Sequence, residues 1–262
     1  MFDITRYESR RRVRGTLALA ALIGLFTLLI VGIYPSIAAS GTDFQAYIES
    51  LPPALRESFG VSAITTVEGF LSTELYQFIW LLLFGLYMAY LGGGAVAGDV
   101  ESGRIELVLA TPVSRSRLLA ETYLSLLVPV VALNLLVPLF VYGGLILIDE
   151  SVDLTNLIAV HVLSVPYLLV CASVGVLLSV LVSREDAARR GGIAAIFMLF
   201  VIDAVSAGTD YDWLGALSPT RYYDPTDILV HGTYDVGGAL VLLAAALALL
   251  AASQAIFRRA DL

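Results

Sequence analysis

The chain has 262 residues, of which 58% are hydrophobic and only 15% charged, and its formal net charge is −8. A soluble domain rarely exceeds about half apolar residues, so this composition excludes an ordinary soluble protein and predicts a membrane protein. The excess of acidic residues argues against nucleic acid as a partner.

The apolar residues fall into six long runs separated by polar connections. A helix needs about 20 residues to cross a bilayer core of about 30 Å, because it rises about 1.5 Å per residue. We therefore predict an all-α membrane protein with one transmembrane domain over 1–262. Its six spans are approximately 15–38, 75–97, 118–148, 157–182, 190–209 and 236–257.

The first span follows a basic stretch and ends near small residues, as in a secretory signal peptide. Its apolar run is longer than the roughly 7 to 15 residues of a signal core. We therefore predict a retained first helix rather than a cleaved signal.

Arginine supplies all 15 basic residues of the chain, and it divides unevenly among the connections. Positive charge near helix ends is retained in the cytoplasm. With the N-terminus inside, six spans leave 13 arginines in the cytoplasm and only Arg56 and Arg221 outside. The pattern thus predicts that both termini are cytoplasmic.

Two external connections, 42–73 and 210–235, are too apolar for solvated loops. The first has the pattern of short amphipathic helices lying at the outer surface. The second carries aromatic residues around Pro219 and Pro225, which favours an interfacial or re-entrant hairpin.

Motifs for chemistry are scarce. A phosphate-binding loop of the form GxxxxGK[ST] needs a lysine, and the chain contains none, so we expect no ATP site here. His161 and His231 are isolated, and Cys171 is the single cysteine, so we predict no catalytic, cofactor or metal residues. In the glycine cluster 92–98, the spacing of Gly94 and Gly98 predicts a close approach of two helix backbones.

Two polar residues inside predicted spans stand out. Asp203 lies in the fifth span, where an ionised carboxylate costs roughly 2.5 to 3.5 kcal/mol on insertion scales. It is a candidate pathway or gate residue, with a position near the outer headgroups as the alternative. Asn134, between Pro129 and Pro138, is a second candidate for the pathway, or else bridges two helices by hydrogen bonding.

Residues 99–115 form the most distinctive cytoplasmic segment. The pattern predicts a short amphipathic helix from about Arg104 to Ala110, ending before Pro112, with Ser114 capping the third span. Ile105, Val108 and Leu109 are spaced three and four apart and would form one apolar stripe.

Here the chain resembles the ABC-2 family of transporter permeases. The resemblance is carried by Glu101, Gly103, Glu106, Leu107, Leu109, the tetrapeptide 112–115 and the basic tail 257–262 that closes in Asp-Leu. Arg104 departs from the family, where threonine is common, and Glu121 or Thr122 stands near a position that is often basic. These departures affect details of docking.

The resemblance implies a permease subunit of an exporter in the plasma membrane. Two permease chains would form the pathway above two separate ATPase subunits, which would hold ATP and Mg. Residues 101–115 would be the coupling helix, with contacts to the ATPase from Glu101, Gly103, Ile105, Glu106, Val108, Leu109, Pro112 and Arg115.

The sequence selects no cargo and leaves two alternatives open. One is a membrane-embedded lipid-modifying enzyme that uses Asp203 or His161, and the other is a membrane scaffold that does not transport. The acid-rich, lysine-free composition also resembles that of haloarchaeal proteins.

Overall fold

The computed structural model describes residues 3–39, 66–109 and 113–259, with the side chains of Asp3 and 107–109 left undescribed. Within these ranges every regular element is a helix and there is no strand. Between α2 and α3 the chain forms a π-helix, Ser72–Phe84, which we call the π segment. The α-helices are α1 (Asp3–Ala39), α2 (Val67–Leu71), α3 (Gly85–Gly93), α4 (Ala97–Glu101), α5 (Arg104–Leu109), α6 (Arg115–Ser125), α7 (Leu127–Leu147), α8 (Leu154–Leu181), α9 (Glu185–Ser206), α10 (Pro225–Leu229) and α11 (Val236–Arg259).

Five helical stretches of the described residues are long and apolar enough to cross a membrane: Ile4–Ala39, Val67–Glu101, Arg115–Leu147, Leu154–Leu181 and Val236–Arg259. The fifth predicted span, α9, is not among them. Charged residues at both of its ends leave an uninterrupted apolar stretch only from 191 to 202.

The helices run between two ends of opposite character. One is the arginine-rich end, which is defined by Arg6 to Arg14, Arg104 to Arg117, Arg184 to Arg190 and Arg258 to Arg259. At this end Arg115 donates a hydrogen bond of 3.3 Å to the Phe257 carbonyl. At the acidic end, defined by residues 66–74, 149–153 and 203–235, Tyr223 donates a bond of 2.9 Å to the Val160 carbonyl.

Helix α9 also connects these two ends. Its first N–H, on Glu185, bonds to Glu101 at the arginine-rich end, and Asp203 near its last turn bonds to Thr220 at the acidic end. It therefore extends from one end of the bundle to the other, antiparallel to α8.

Helix α8 lies at the centre of the bundle, where it packs against α3, α9 and α11. Tyr167, Leu168, Cys171 and Ala172 on α8 are at most 1% exposed. The Asp153 carboxylate caps its first turn by accepting hydrogen bonds from the N–H groups of Thr155 and Asn156.

Glycine allows α3 and α8 to touch backbone to backbone. A Cβ atom on Gly175 would lie 2.1 Å from the Ala89 carbonyl oxygen, and one on Gly92 would lie 2.2 Å from the Ala172 carbonyl oxygen. The predicted contact exists, but not at the predicted pair. Gly94 and Gly98 instead face the side chains of Arg189 and Glu185.

The second span differs most from its prediction. It begins at Val67, eight residues early, because the Thr66 hydroxyl caps α2 by accepting a hydrogen bond of 3.1 Å from the Gly69 N–H. The π segment then continues directly from α2 for 13 residues. π-Helices are rare, and it is the short π-bulges within α-helices that are frequently found at functional sites.

The third span is interrupted between α6 and α7 at Leu126. Pro129 has no N–H, so it cannot bond to the Ser125 carbonyl four residues earlier, and the helix breaks there. Pro138 lies inside α7 without ending the helix.

The connection 207–235 folds back over the acidic end through two 3₁₀ turns, Asp212–Leu217 and Pro219–Tyr222, followed by α10. Tyr223, Ile228 and Leu229 are buried, whereas Trp213 and Leu217 are about two-thirds exposed. The prediction for 42–73 lies largely outside the described residues; its described part contains α2.

Candidate functional site

The segment after the second span lies at the arginine-rich end as two short helices, α4 and α5. Gly103 joins them with a φ of 69°, a left-handed conformation that costs glycine little. Arg104 forms a salt bridge with Asp99 across this turn. The observed α5, Arg104–Leu109, agrees with the predicted short helix to within one residue.

The predicted apolar stripe on α5 is described only at Ile105. This side chain is 3% exposed and belongs to the core of the chain, whereas Glu106 is exposed. The side chains of Val108 and Leu109, and Pro112 altogether, lie outside the described residues, so their coupling role stays a prediction.

The α4–α5 segment is tied to α9. The Glu101 carboxylate accepts a hydrogen bond of 2.7 Å from the Glu185 N–H, at the first turn of α9, where a negative charge complements the helix dipole. Glu185 in turn pairs with Arg189 at 2.5 Å. Arg189 also donates to the Tyr90 hydroxyl at 2.8 Å and stacks over the Tyr90 ring.

Glu185 and Arg189 border a polar cavity of about 490 Å³. It lies between α1, the end of α3, α4 and the start of α9. Its charged lining residues are Glu8, Arg11, Arg12, Asp99, Arg104, Glu185 and Arg189.

Arg115, a predicted coupling residue, faces a different neighbour. It bonds to the Phe257 carbonyl and lies 6.0 Å from the centre of the Phe257 ring. The Ser114 hydroxyl accepts a hydrogen bond of 3.3 Å from the Arg117 N–H, so it caps α6 as predicted.

Glu121 is a key residue of this end that the sequence did not reveal. Its carboxylate is buried and accepts hydrogen bonds from the N–H groups of Ile4 and Thr5 at 3.1 and 3.2 Å. Arg117 donates to its other oxygen at 2.7 Å. Glu121 therefore anchors the first turn of α1, although nothing in the spacing of the two segments indicates it.

A polar cluster lies inside the bundle, and Asn134 is part of it. The Asn134 carbonyl oxygen accepts a bond of 3.1 Å from the Ser164 hydroxyl and lies 3.2 Å from His161 Nδ1. The other ring nitrogen, Nε2, lies 3.0 Å from the Tyr76 hydroxyl. Asn134 thus bridges α7 and α8, and His161 continues the bridge to the π segment.

Trp80 stands over this cluster with its ring centre 4.8 Å from that of His161, edge to face. It is fully buried, and its indole N–H has no hydrogen-bond partner among the residues that the structure describes. Buried donors are rarely left unpaired. The Trp80 N–H is therefore an unusual donor in the bundle interior, on the side of the cluster next to His161.

Asp203 lies beside a second cavity of about 310 Å³ at the acidic end. Its Oδ2 accepts a hydrogen bond of 2.6 Å from the Thr220 hydroxyl, and its Oδ1 lies 3.7 Å from Arg221. Arg221 also pairs with Asp212. The predicted gate residue is therefore held by partners close to the surface of the bundle.

Two acids beside this cavity have shifted pKa values of opposite sign. Burial raises the pKa of Asp224 above its ordinary value. This effect outweighs the hydrogen bonds that its carboxylate accepts from the N–H groups of Thr226 and Asp227, which lower the pKa. Hydrogen bonding from Arg221 lowers the pKa of the exposed Asp212.

No group of three or more His, Cys, Asp or Glu side chains within the described ranges is arranged to hold a metal ion. Cys171 is fully buried on α8.

Comparison with known proteins places these features in a family. The model of the family described as "Multidrug efflux system permease Rv1217c, C-terminal domain" matches residues 9–258, which is nearly the whole chain. A search among curated proteins returned no match.

Proposed function

This chain belongs to the family of the multidrug efflux system permease Rv1217c, C-terminal domain, and from that premise we propose that it is the membrane-spanning subunit of an ABC-type exporter. Its apolar helices and its family make it a multi-pass membrane protein of the permease class. What we propose beyond this is that the permease is of the ABC-2 type, that it works with ATPase partners, and that it transports outward.

In this proposal α9 also crosses the membrane, as the fifth of six spans, and the whole chain is one permease domain. Its 22 residues would extend about 33 Å at about 1.5 Å per residue, enough for a bilayer core of about 30 Å. Two of its charged residues have partners that offset the cost of a membrane position, because Arg189 pairs with Glu185 one turn earlier, and Asp203 accepts a hydrogen bond from Thr220. Charged groups inside a membrane generally face such partners.

The arginine-rich end would be cytoplasmic. Among the described arginines, Arg221 is the only one at the opposite end, and positive charge near helix ends is retained inside. Both termini then lie in the cytoplasm, and α4 and α5 lie where an ATPase subunit can reach them.

The observation that carries the proposal is the position of α5. It is a short helix at the arginine-rich end, fixed to its own bundle through Ile105 and, by way of α4, to α9 through Glu101. A force applied to α5 would therefore pass directly to α9 and α3. The partner would contact the Glu106 side of α5, with Val108, Leu109 and Pro112 as further contacts. ATP and Mg would bind in that partner, and a second permease chain would complete the pathway.

Site-specific photo-crosslinking tests this proposal. A photoreactive amino acid at Glu106 should capture a co-expressed ATPase subunit in the active complex, and ATP-driven export from proteoliposomes should depend on that subunit. The same group at the exposed Glu150, at the acidic end, is the matched control and should capture none. An active complex in which Glu106 never contacts an ATPase would overturn the assignment.

A further inference from the structure

An apolar groove runs along the outside of the bundle between α1 and the π segment. Its volume is about 570 Å³, and it is lined by residues of α1 such as Leu22 and Phe26 and by Phe78 and Leu83 of the π segment. These four side chains are 43 to 65% exposed, which means that the groove opens toward the lipid.

The π segment creates this groove. Nine residues separate Glu74 from Leu83, which is two and a half turns of an α-helix at about 3.6 residues per turn. An α-helix would therefore turn these residues to opposite faces. The wider π-helix, whose i→i+5 hydrogen bonds add residues to each turn, instead brings Glu74, Phe78 and Leu83 to the groove together.

Glu74 is the only acidic or basic side chain among the described residues that line the groove. No described arginine or histidine forms an ion pair with it. A carboxylate next to apolar and aromatic surface attracts a cation more strongly than one in water, since the effective dielectric constant is lower. The aromatic rings of Phe26 and Phe78 add surfaces on which a cation can lie.

The charge around the groove points the same way. Residues 66–74 and 203–235, with the turn 149–153, carry eleven acidic residues and one arginine at the acidic end. Such a field raises the local concentration of cations. An anionic or uncharged lipid would gain nothing from the Glu74 carboxylate or from the negative charge of the acidic end.

We propose that this groove is a binding site for lipophilic organic cations entering from the bilayer, with Glu74 as the counter-ion and the groove walls as the apolar contact. This inference deepens the proposed function by naming a class of cargo. Binding to the chain alone needs no ATPase, however, so each of the two proposals can fail without the other.

Tetraphenylphosphonium and tetraphenylborate are suitable probes because they have the same shape and opposite charge. Equilibrium dialysis against the purified full-length chain, with empty micelles subtracted, measures each. We expect saturable binding of the cation and none of the anion. Glu74→Gln should raise the Kd for the cation at least about tenfold, and Glu74→Asp should restore part of the affinity.

Glu150→Gln is the matched control, because it removes an exposed acid of the same end outside the groove. It should change the Kd less than about twofold. Elution of each variant as wild type on size exclusion verifies its fold, and thermal stabilisation of the wild type by the cation gives a second readout of binding.

Three results would overturn the proposal. The first is an absence of saturable cation binding to the wild type, and the second is equal affinity in Glu74→Gln. The third is capture of a second copy by a photoreactive group at Phe78 without protection by the cation, because the groove would then be an interface between chains.

Discussion

The carboxylate of Glu101 accepts a 2.7 Å hydrogen bond from the backbone N–H of Glu185, 84 residues later in the chain. This bond joins the end of α4 to the first turn of α9. The two helices therefore move together at the end of the bundle where α5 lies.

Glu101→Ala should uncouple these helices. Loss of the acceptor leaves the first N–H of α9 to water at a cost of about 1 kcal/mol, and the carboxylate no longer complements the helix dipole. We expect normal expression but lower ATP-driven transport. Asp186→Asn is the matched control, since Asp186 is exposed at the same end and pairs only weakly with Arg190 at 3.9 Å; equal loss in both variants would refute this role for Glu101.

Gly175→Ala should disrupt the bundle because its new Cβ would meet the Ala89 carbonyl oxygen. Overpacking of a tight contact costs about 1 to 3 kcal/mol, so the melting temperature in detergent should fall. Gly143→Ala on α7 is the control, because a Cβ there would meet no atom within 4 Å. It should leave the melting temperature unchanged or raise it. If both variants melt alike, backbone contact between α3 and α8 is not what holds them together.

Tyr76→Phe should weaken the link between the π segment and α8. It removes the hydroxyl that lies 3.0 Å from His161 Nε2, which would cost about 0.6 to 1.7 kcal/mol in a membrane protein. A double-mutant cycle with His161→Ala, read by unfolding in detergent, should give a coupling energy of that size. Tyr142→Phe, at an exposed position of α7, is the control, and a coupling near zero would contradict the bond.

Asp203→Asn should preserve the fold and alter transport. The amide oxygen can still accept from Thr220, but the negative charge next to Arg221 is lost. Asp203→Leu should in addition lower stability by about 1 to 3 kcal/mol, since the Thr220 hydroxyl then loses that acceptor. Normal transport in both variants, measured in proteoliposomes, would leave Asp203 a structural residue only.

Asp224→Asn should remove a pH-dependent loss of stability. A raised pKa means that the folded protein holds this proton longer than the unfolded chain does. Stability therefore falls as pH rises from the usual aspartate pKa of about 3.9 through the higher folded value. Asparagine keeps the cap without the charge, so the variant should gain stability over wild type across this window; parallel unfolding curves at all pH values would contradict the assignment.

Hydropathy predicted the helices well, yet it could not predict their internal geometry. The sixth predicted span, 236–257, matches α11 closely because it is mostly apolar and contains no charged residue. The π segment differs from an α-helix in its hydrogen-bond register, and a run such as 78–84 is apolar on every face in either form. Apolar periodicity therefore carries no signal for it.

Sequence reasoning placed Asp203 and Asn134 among candidate residues through the cost of burying polar groups, but it could not find their partners. Thr220 and His161 come from other helices or connections, and only the packing of the bundle sets those distances. Glu121 was noted only as a departure from a family pattern, while its bonds to Ile4 and Thr5 depend on how far α1 extends.

The length of α1 has a consequence at the membrane surface. Its 37 residues span about 55 Å, some 25 Å more than the bilayer core, and nearly all of the excess lies at its arginine-bearing start. In the proposed orientation, several turns would therefore pass through the phosphate layer of the inner leaflet, where the exposed Arg6, Arg10 and Arg14 would meet lipid phosphates. A helix anchored in this way would change its phosphate contacts whenever it tilts, so the negative charge of that leaflet would influence how freely α1 can move.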